Sequence, residues 1–191
     1  MPKRPLVFIS YRHGDPWTEL TRRLQVRLKN VSKALGFDLF IDEGMGAGVM
    51  WAQHLQQQLQ ATTHFVCMLC DEYWESIECQ RELMFAVESF RATGEPRLLF
   101  VLAEAMSPEY LTFDDAGRPD RLGLPGDGER VIQSVSDVNF LGPFDGNLRL
   151  EPLSQDSAAR FAEQLTQLVK RLKETLPTLD TQTARTMGSR P

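Results

Sequence analysis

The sequence predicts an α/β protein built on a five-stranded parallel sheet with helices on both faces. Strand-like and helix-like segments alternate five times along the chain. The strand-like segments are also uniformly apolar, which is typical of strands that helices cover on both sides. At 191 residues the chain is long enough for one compact domain. We expect that domain to span residues 1–175, and residues 176–191, where apolar residues become scarce, to form a disordered tail or a truncated linker.

The first two strands flank one long amphipathic helix. Leu6–Tyr11 is a continuous apolar run of the kind found in a central strand. Asp15 and Pro16 then predict a helix start, with Asp15 as the N-cap and proline at the first helical position. Gly36 marks the helix end, and Phe37–Ile41 is the second strand. The apolar residues of this helix recur at intervals of three and four: Trp17, Leu20, Leu24, Leu28, Val31 and Leu35.

A glycine-rich loop, residues 42–48, follows the second strand. It superficially resembles a dinucleotide-binding fingerprint, but that fingerprint needs its third glycine where Val49 stands and normally follows the first strand. We therefore interpret the loop as a flexible turn, of a kind that often closes over ligands at this edge of a sheet.

Three more strands complete the predicted sheet. Trp51, Leu55 and Leu59 mark the second helix. Residues 65–70 form the third strand, and a helix that the stretch Ser76–Leu83 opens follows it to about Thr93. The remaining elements are strands at Arg97–Leu102 and Val138–Leu141, and a last helix with the stripe Phe161, Leu165, Leu168 and Leu172, capped by Ser154 or Ser157 and ending before Pro177. Residues 104–136 are rich in Gly, Pro and Asp, and we expect an irregular segment that is either functional or disordered.

Composition excludes several classes of function. The net charge of −5 and the lack of a basic stripe argue against nucleic-acid binding. Apolar runs of about six residues are too short to span a membrane or to form a signal peptide, so we expect a cytoplasmic protein without membrane contact.

The cysteines and histidines predict neither disulfides nor a metal site. Three cysteines are an odd number for a disulfide framework. Cys67 and Cys70 lie three positions apart on a predicted strand, so their side chains should point to opposite faces, and we interpret both as core residues. The three histidines stand far apart in different elements.

Glu82 is the candidate functional carboxylate. On the helix after the third strand, Cys79, Leu83, Ala86 and Phe90 form one apolar stripe. Glu82 falls about 75° from the centre of that stripe, at the edge of the buried face, whereas Glu78 falls on the solvent side. The position lies at the carboxyl ends of the strands, where open α/β sheets bind ligands.

Three motifs in this order resemble the Toll/interleukin receptor (TIR) domain. They are Val7-Phe8-Ile9-Ser10-Tyr11-Arg12 in the first strand, Phe40-Ile41-Asp42 with the glycine loop and Trp51, and Ser76-x-x-Cys79-x-x-Glu82-Leu83. The resemblance covers roughly residues 5–175 and implies a flavodoxin-like sheet of five parallel strands.

The resemblance implies two kinds of activity. In many animal receptors and adaptors the domain is a non-catalytic scaffold that acts by TIR–TIR self-association. In bacterial and plant relatives it cleaves NAD⁺, and the catalytic glutamate matches Glu82. We expect the bacterial type, an NAD⁺ glycohydrolase in immune or antiphage defence signalling, with NAD⁺ as substrate and no cofactor. A sensor domain or a partner protein would supply the trigger, and the product, linear or cyclic ADP-ribose, stays open.

The resemblance also implies the residues around the substrate: Ser10, Tyr11, Arg12, Asp42, Gly44, Gly48, Trp51 and Cys79. Arg12 is a candidate for a phosphate or the carboxamide edge, or else an ordinary loop arginine. Tyr11 and Trp51 could stack on a ring of the substrate, although Trp51 also fits a helix core.

Two alternatives concern the acidic residues. Trp74-x-x-x-Glu78 imitates the spacing of bacterial relatives one turn early, so Glu78 is the fallback for the catalytic glutamate. A phosphoacceptor receiver domain would share the fold and would use Asp71, but Tyr11 and Arg12 stand where receivers need an acidic pair.

Overall fold

The computed structural model describes residues 4–41, 49–123 and 139–176, and of residues 49–52 it describes the backbone alone. These parts of the chain contain seven strands and five helices. The strands are β1 (Leu6–Ser10), β2 (Asp38–Ile41), β3 (His64–Leu69), β4 (Arg97–Leu102), β5 (Leu111–Phe113), β6 (Pro119–Leu122) and β7 (Asn139–Gly142). The helices are α1 (Trp17–Leu35), α2 (Val49–Ala61), α3 (Asp71–Glu75), α4 (Ile77–Thr93) and α5 (Ala158–Thr175).

The main sheet has five parallel strands in the order β2-β1-β3-β4-β7. This is the flavodoxin-like order, in which the first strand lies between the second and the third. The register pairs Ile9 of β1 with Ile41 of β2 and with Val66 of β3. Every residue of β1 and β3 is buried, as the apolar runs indicate. The predicted fold class is confirmed.

The helices form two layers. α1 contacts α5, and α2 contacts α4. Gly36 ends α1 in the left-handed conformation, with φ of 74°, as its position after the last apolar residue predicts. Ser157 rather than Ser154 caps α5, because its side chain accepts a hydrogen bond from the backbone N–H of Arg160. None of the described helices combines the length and the apolar content that crossing a membrane requires.

A buried histidine ties the end of α5 to the start of β3. The His64 ring hydrogen-bonds to the Thr63 hydroxyl (2.9 Å) and to the Thr175 carbonyl (3.2 Å). Burial lowers the pKa of His64 from its ordinary value. The contact explains why a polar residue begins an otherwise apolar strand.

Two local expectations are wrong, those for the start of α1 and for residues 104–136. Pro16, not Asp15, occupies the N-cap position of α1, and no side chain caps this end. The helix predicted to open at Ser76 is α4, which Ser76 caps and which ends at Thr93 as expected, but a short helix that the sequence did not predict, α3, precedes it. Within residues 104–136, β5 and β6 form an antiparallel hairpin instead of irregular chain. The last sheet strand, β7, spans Asn139–Gly142 among the described residues, and Val138, the predicted first residue of that strand, lies outside them.

Candidate functional site

The candidate site lies where the carboxyl end of β1 meets the first turns of α4. Ser10 is the last residue of β1, and Tyr11 and Arg12 follow it directly. α4 begins at a serine cap: the Ser76 hydroxyl accepts a hydrogen bond from the backbone N–H of Cys79 (3.4 Å). A helix that starts here directs the positive end of its dipole toward the edge of the sheet.

Glu82 is buried in this junction and bonded to β1. Its relative exposure is 7%, which places it within the buried face of α4 instead of at the predicted margin. The Ser10 hydroxyl donates a hydrogen bond to Glu82 Oε2 over 2.6 Å. Charged residues are rarely buried unless they are paired or hydrogen-bonded, so this carboxylate occupies a specialised position.

Glu78, the fallback candidate, has a different environment. Its side chain is exposed, and it accepts a hydrogen bond from the Ser76 hydroxyl over 3.3 Å. An acidic residue in the first turn is favoured by the helix dipole and needs no other explanation. The geometry therefore distinguishes the two glutamates, and it brings Glu82 to β1.

Cys79 lies on α4 three residues before Glu82 and joins α4 to the chain segment after β1. The Cys79 thiol donates a hydrogen bond to the Tyr11 carbonyl over 3.4 Å. Burial raises the pKa of Cys79 to about 11, and the Glu82 charge adds to the increase, whereas the Ser76 hydrogen bond and the Arg12 charge oppose it. Arg12 is thus close enough for its positive charge to act on this junction. Such a raised pKa makes Cys79 a packing residue and not a nucleophile.

Tyr11 faces the other side of the strand end. Its ring lies 4.7 Å from the ring of His13. It lines a cavity of about 240 Å³ together with Thr18, Thr21, Arg22, Gln25 and Ile41. This volume is below the roughly 300–1,000 Å³ of ordinary ligand pockets, so the described residues supply only part of a pocket for a large ligand.

A larger cavity, of about 420 Å³, lies elsewhere. It is found at the carboxyl end of β4, between residues 103–105 and residues 151–156, with Arg160 at its wall. It contains none of the site residues that the sequence predicts. Its wall includes an Arg160–Glu151 ion pair, so its charged groups are partly engaged with one another.

The other four predicted site residues lie wholly or partly outside the described residues. Asp42, Gly44 and Gly48 lie outside the described residues, and Trp51 lies on α2 with its side chain undescribed. Of the nine predicted site residues, the structure joins Ser10 to Glu82 and Cys79 to the backbone carbonyl of Tyr11. The Tyr11 ring lies apart from these contacts, and Arg12, the next residue, acts on Cys79 through its charge.

Cys67 and Cys70 are buried core residues, as expected, although Cys70 stands just after β3. Within the described part of the chain, one set of potential metal ligands comes together: Cys70, Glu72 and Glu104, whose ligand atoms lie within 4.8 Å of one another. Burial raises the pKa of Cys70 to about 12, which disfavours the thiolate that a metal requires.

Tyr73 belongs to the site but escapes prediction from the sequence. It lies on α3 and is fully buried, and its hydroxyl is 2.7 Å from Ser10 Oγ. The signal in the sequence is weak: a tyrosine three residues before the helix cap Ser76, within a helix too short to show a period.

The fold and these residues define a flavodoxin-like α/β domain with a candidate ligand site at the carboxyl edge of its sheet. A family model described as "TIR domain" matches residues 7–121, which is more than half of the chain. The chain therefore belongs to the TIR domain family.

One solved structure similar to this chain contains the TIR domains of the activated Roq1 resistosome directly recognizing the pathogen effector XopQ. The identity is 20%, and the TM-score is 0.41. The match covers 52% of this chain and 59% of that chain, less than two thirds of the latter's length. Among curated proteins none matches this sequence.

Proposed function

We propose that this TIR domain is an NAD⁺ glycohydrolase of bacterial immune or defence signalling, in which Glu82 stabilises the transition state. The observation that carries the proposal is the buried Glu82 carboxylate held by Ser10 at the carboxyl end of β1. Open α/β sheets bind ligands at the carboxyl ends of their strands, and this is the edge at which Glu82 lies. Family membership adds support, because the resemblance aligns Glu82 with the catalytic glutamate of NAD⁺-cleaving relatives.

The chemistry requires one carboxylate and no general acid. The C–N bond between ribose and the cationic nicotinamide breaks, and its electron pair goes to the ring nitrogen, so nicotinamide leaves as a neutral molecule. Positive charge develops on the ribose, as in glycoside hydrolysis. A fixed negative charge from Glu82 near the ribose would stabilise that cation. Water then adds its oxygen to the ribose carbon and releases one proton, which gives ADP-ribose, whereas attack by an atom of the adenine ring gives a cyclic product.

The other site residues would bind the substrate. Arg12 stands close to the junction and would bind a phosphate or the carboxamide edge of nicotinamide. Tyr11 would offer its ring for stacking, since it lines the cavity between β1 and α1. We also assign binding roles to Ser10, Cys79 and, from the resemblance alone, to Asp42, Gly44, Gly48 and Trp51.

A direct test follows nicotinamide release from NAD⁺ by proton NMR at high protein concentration. Glu82→Gln should lower the rate by roughly 10²–10³, the usual cost of losing one preorganised electrostatic group. Glu78→Gln is the matched control, because it makes the same change one turn away on an exposed residue, and it should retain most of the activity. Equal losses in the two variants would contradict the assignment of Glu82.

Self-association should complete the pocket. The cavity beside Tyr11 is too small for a dinucleotide, so we propose that a second copy of the domain supplies further contacts. Specific activity should then increase with protein concentration, in parallel with the assembled fraction measured by light scattering. A specific activity that is independent of concentration would refute this part of the proposal.

A non-catalytic scaffold is the second candidate. It is favoured by the burial and hydrogen bonding of Glu82, which would also suit a carboxylate that only joins α4 to β1. No nicotinamide release from a protein shown to be assembled would establish this alternative over the enzyme.

A further inference from the structure

Three buried groups contact the hydroxyl of Tyr73: the Ser10 hydroxyl, the Cys79 carbonyl and the Cys67 thiol. Tyr73 Oη lies 2.7 Å from Ser10 Oγ and 3.2 Å from the carbonyl oxygen of Cys79. Ser10 Oγ in turn lies 2.6 Å from Glu82 Oε2. A chain of close polar contacts therefore runs from α3, through β1, to the candidate catalytic residue on α4.

The number of protons fixes the direction of these bonds. With Glu82 ionised, as the proposed reaction requires, the two hydroxyls supply two protons for three contacts between oxygens: Ser10 to Glu82, Ser10 to Tyr73, and Tyr73 to the Cys79 carbonyl. The Cys67 thiol also hydrogen-bonds to Tyr73, and burial keeps that thiol protonated, so it can donate its own proton. If Tyr73 donated only to Cys79 and Ser10 donated to Glu82, the two hydroxyl oxygens would face each other at 2.7 Å with no proton between them. If Ser10 donated to Tyr73 instead, its proton would be absent from the contact with Glu82 Oε2, which at 2.6 Å is the shortest of the three.

One arrangement satisfies the two shortest contacts. Ser10 donates to Glu82, and Tyr73 donates to Ser10, with the longer contact to the Cys79 carbonyl as a minor component of a shared bond. The donor role of Tyr73 is secure at neutral pH, because burial raises the pKa of its hydroxyl well above the ordinary value.

We propose that Tyr73 is a positioning residue for Glu82: by donating to Ser10 it commits the Ser10 proton to the carboxylate and fixes that carboxylate's orientation. The inference rests on the proposed function, since it assigns Tyr73 a part in the reaction. Tyr73 itself is fully buried, so it acts on the substrate only through Ser10 and Glu82.

The position of Tyr73 is suited to this role because α3 is held on two further sides. The ring of the adjacent Trp74 stacks on the ring of Tyr110, with centroids 6.2 Å apart and planes within 11° of parallel. Asp71, at the start of α3, accepts a hydrogen bond from the backbone N–H of Ser107 over 2.9 Å. A helix fixed in this way presents the Tyr73 hydroxyl at one place relative to β1.

Tyr73→Phe tests the proposal by removing one oxygen atom. It should lower kcat for nicotinamide release roughly 3- to 10-fold, which corresponds to the loss of one neutral hydrogen bond. The KM for NAD⁺ should be unchanged, because Tyr73 does not contact the ligand. Tyr110→Phe is the matched control, since it makes the same chemical change on a half-exposed tyrosine outside the Ser10–Glu82 chain, and its kcat should be that of the wild type.

A second comparison separates positioning from a merely structural effect. With Ser10→Ala in place, Tyr73 can no longer act on Glu82 through the Ser10 hydroxyl, so Ser10→Ala/Tyr73→Phe should have the same kcat as Ser10→Ala within about twofold. A structural defect would reduce kcat by the same factor in both backgrounds. That result, or wild-type kcat in a folded Tyr73→Phe protein, would overturn the proposal.

A readout that does not use the reaction tests the hydrogen bonds themselves. The side-chain carboxyl ¹³C signal of Glu82 should shift in Tyr73→Phe and stay in place in Tyr110→Phe. If Tyr73→Phe does not fold, the wild type provides the test: the hydroxyl proton of Tyr73 should show a through-space NMR contact to the Ser10 β-protons. A contact to residues of α4 alone would refute the proposal that Tyr73 donates to Ser10. An inactive wild type would refute the proposed function, while these spectra would still decide whether Tyr73 orients Glu82.

Discussion

Replacing Glu82 with glutamine should leave the fold as stable as the wild type, or make it more stable. The substitution keeps the size and shape of the side chain and removes its charge. We expect the free energy of unfolding of Glu82→Gln at pH 7 to equal that of the wild type or to exceed it by about 1–2 kcal/mol. The prediction separates a carboxylate that is kept for chemistry from one that is kept for structure.

The magnitude follows from the surroundings of Glu82. Burying a carboxylate costs several kcal/mol even after the protein relaxes. The hydrogen bond that the Ser10 hydroxyl donates over 2.6 Å returns about 1.5–3 kcal/mol of this cost. The glutamine oxygen can accept the same hydrogen bond without the full desolvation penalty of an ion, so the substitution should not weaken the junction.

Urea unfolding followed by circular dichroism measures the change, with Glu78→Gln as the control. Glu78 is exposed in the first turn of α4, so its substitution should change stability by less than about 1 kcal/mol. A loss of more than about 2 kcal/mol in Glu82→Gln, with an unchanged slope against urea, would show that the charge stabilises the fold. Glu82 would then be a structural carboxylate, and the scaffold would be the better interpretation.

Three other predictions concern the rest of the domain. Burial lowers the pKa of His64 in the folded state, so as the pH decreases the unfolded chain binds a proton before the folded protein does. The free energy of unfolding should therefore fall as the pH decreases below about 6.5. Urea titrations at several pH values should show a smaller fall in His64→Gln. Ser157→Ala should destabilise the protein by about 1 kcal/mol through loss of the α5 cap, whereas Ser154→Ala, the control, should change stability by less than about 0.5 kcal/mol in thermal unfolding. The three buried cysteines have raised pKa values, so alkylation at pH 8 should be on the order of 100-fold slower in the native protein than in urea, and a fast-reacting native thiol would contradict the described burial.

The main sheet could be predicted because its signals are continuous and redundant. β1, β3 and β4 are apolar runs that are buried along almost their whole length, and the stripe of α1 stops at a glycine that ends the helix. The elements that escaped prediction are short. α3 has five residues, and β5 and β6 have three and four, so none of them is long enough to show a period.

The site could be predicted only in part, for a related reason. The helical period located Glu82 near the buried face of α4, but its pairing with Ser10 joins residues 72 positions apart, which no local pattern encodes. Ser10 carried a usable signal, as a hydroxyl that ends an otherwise apolar central strand. The sequence signal at Tyr73 is weaker, because the role of this residue depends on the break between α3 and α4, which turns its hydroxyl toward β1.

The same junction explains why the motifs of this chain stand where they do. Cys79 bonds to the Tyr11 carbonyl, Ser10 bonds to Glu82, and Tyr73 reaches both Ser10 and the Cys79 carbonyl, so residues from β1, α3 and α4 converge on one group of contacts. These contacts both join α4 to the sheet and orient the Glu82 carboxylate, so a structural role and a catalytic role predict the same contacts. The two roles differ in how the stability and the activity of the protein respond to substitution. If the group serves structure alone, losses of stability and activity should run parallel in every variant, whereas a catalytic role requires that Glu82→Gln lose activity while it keeps its stability.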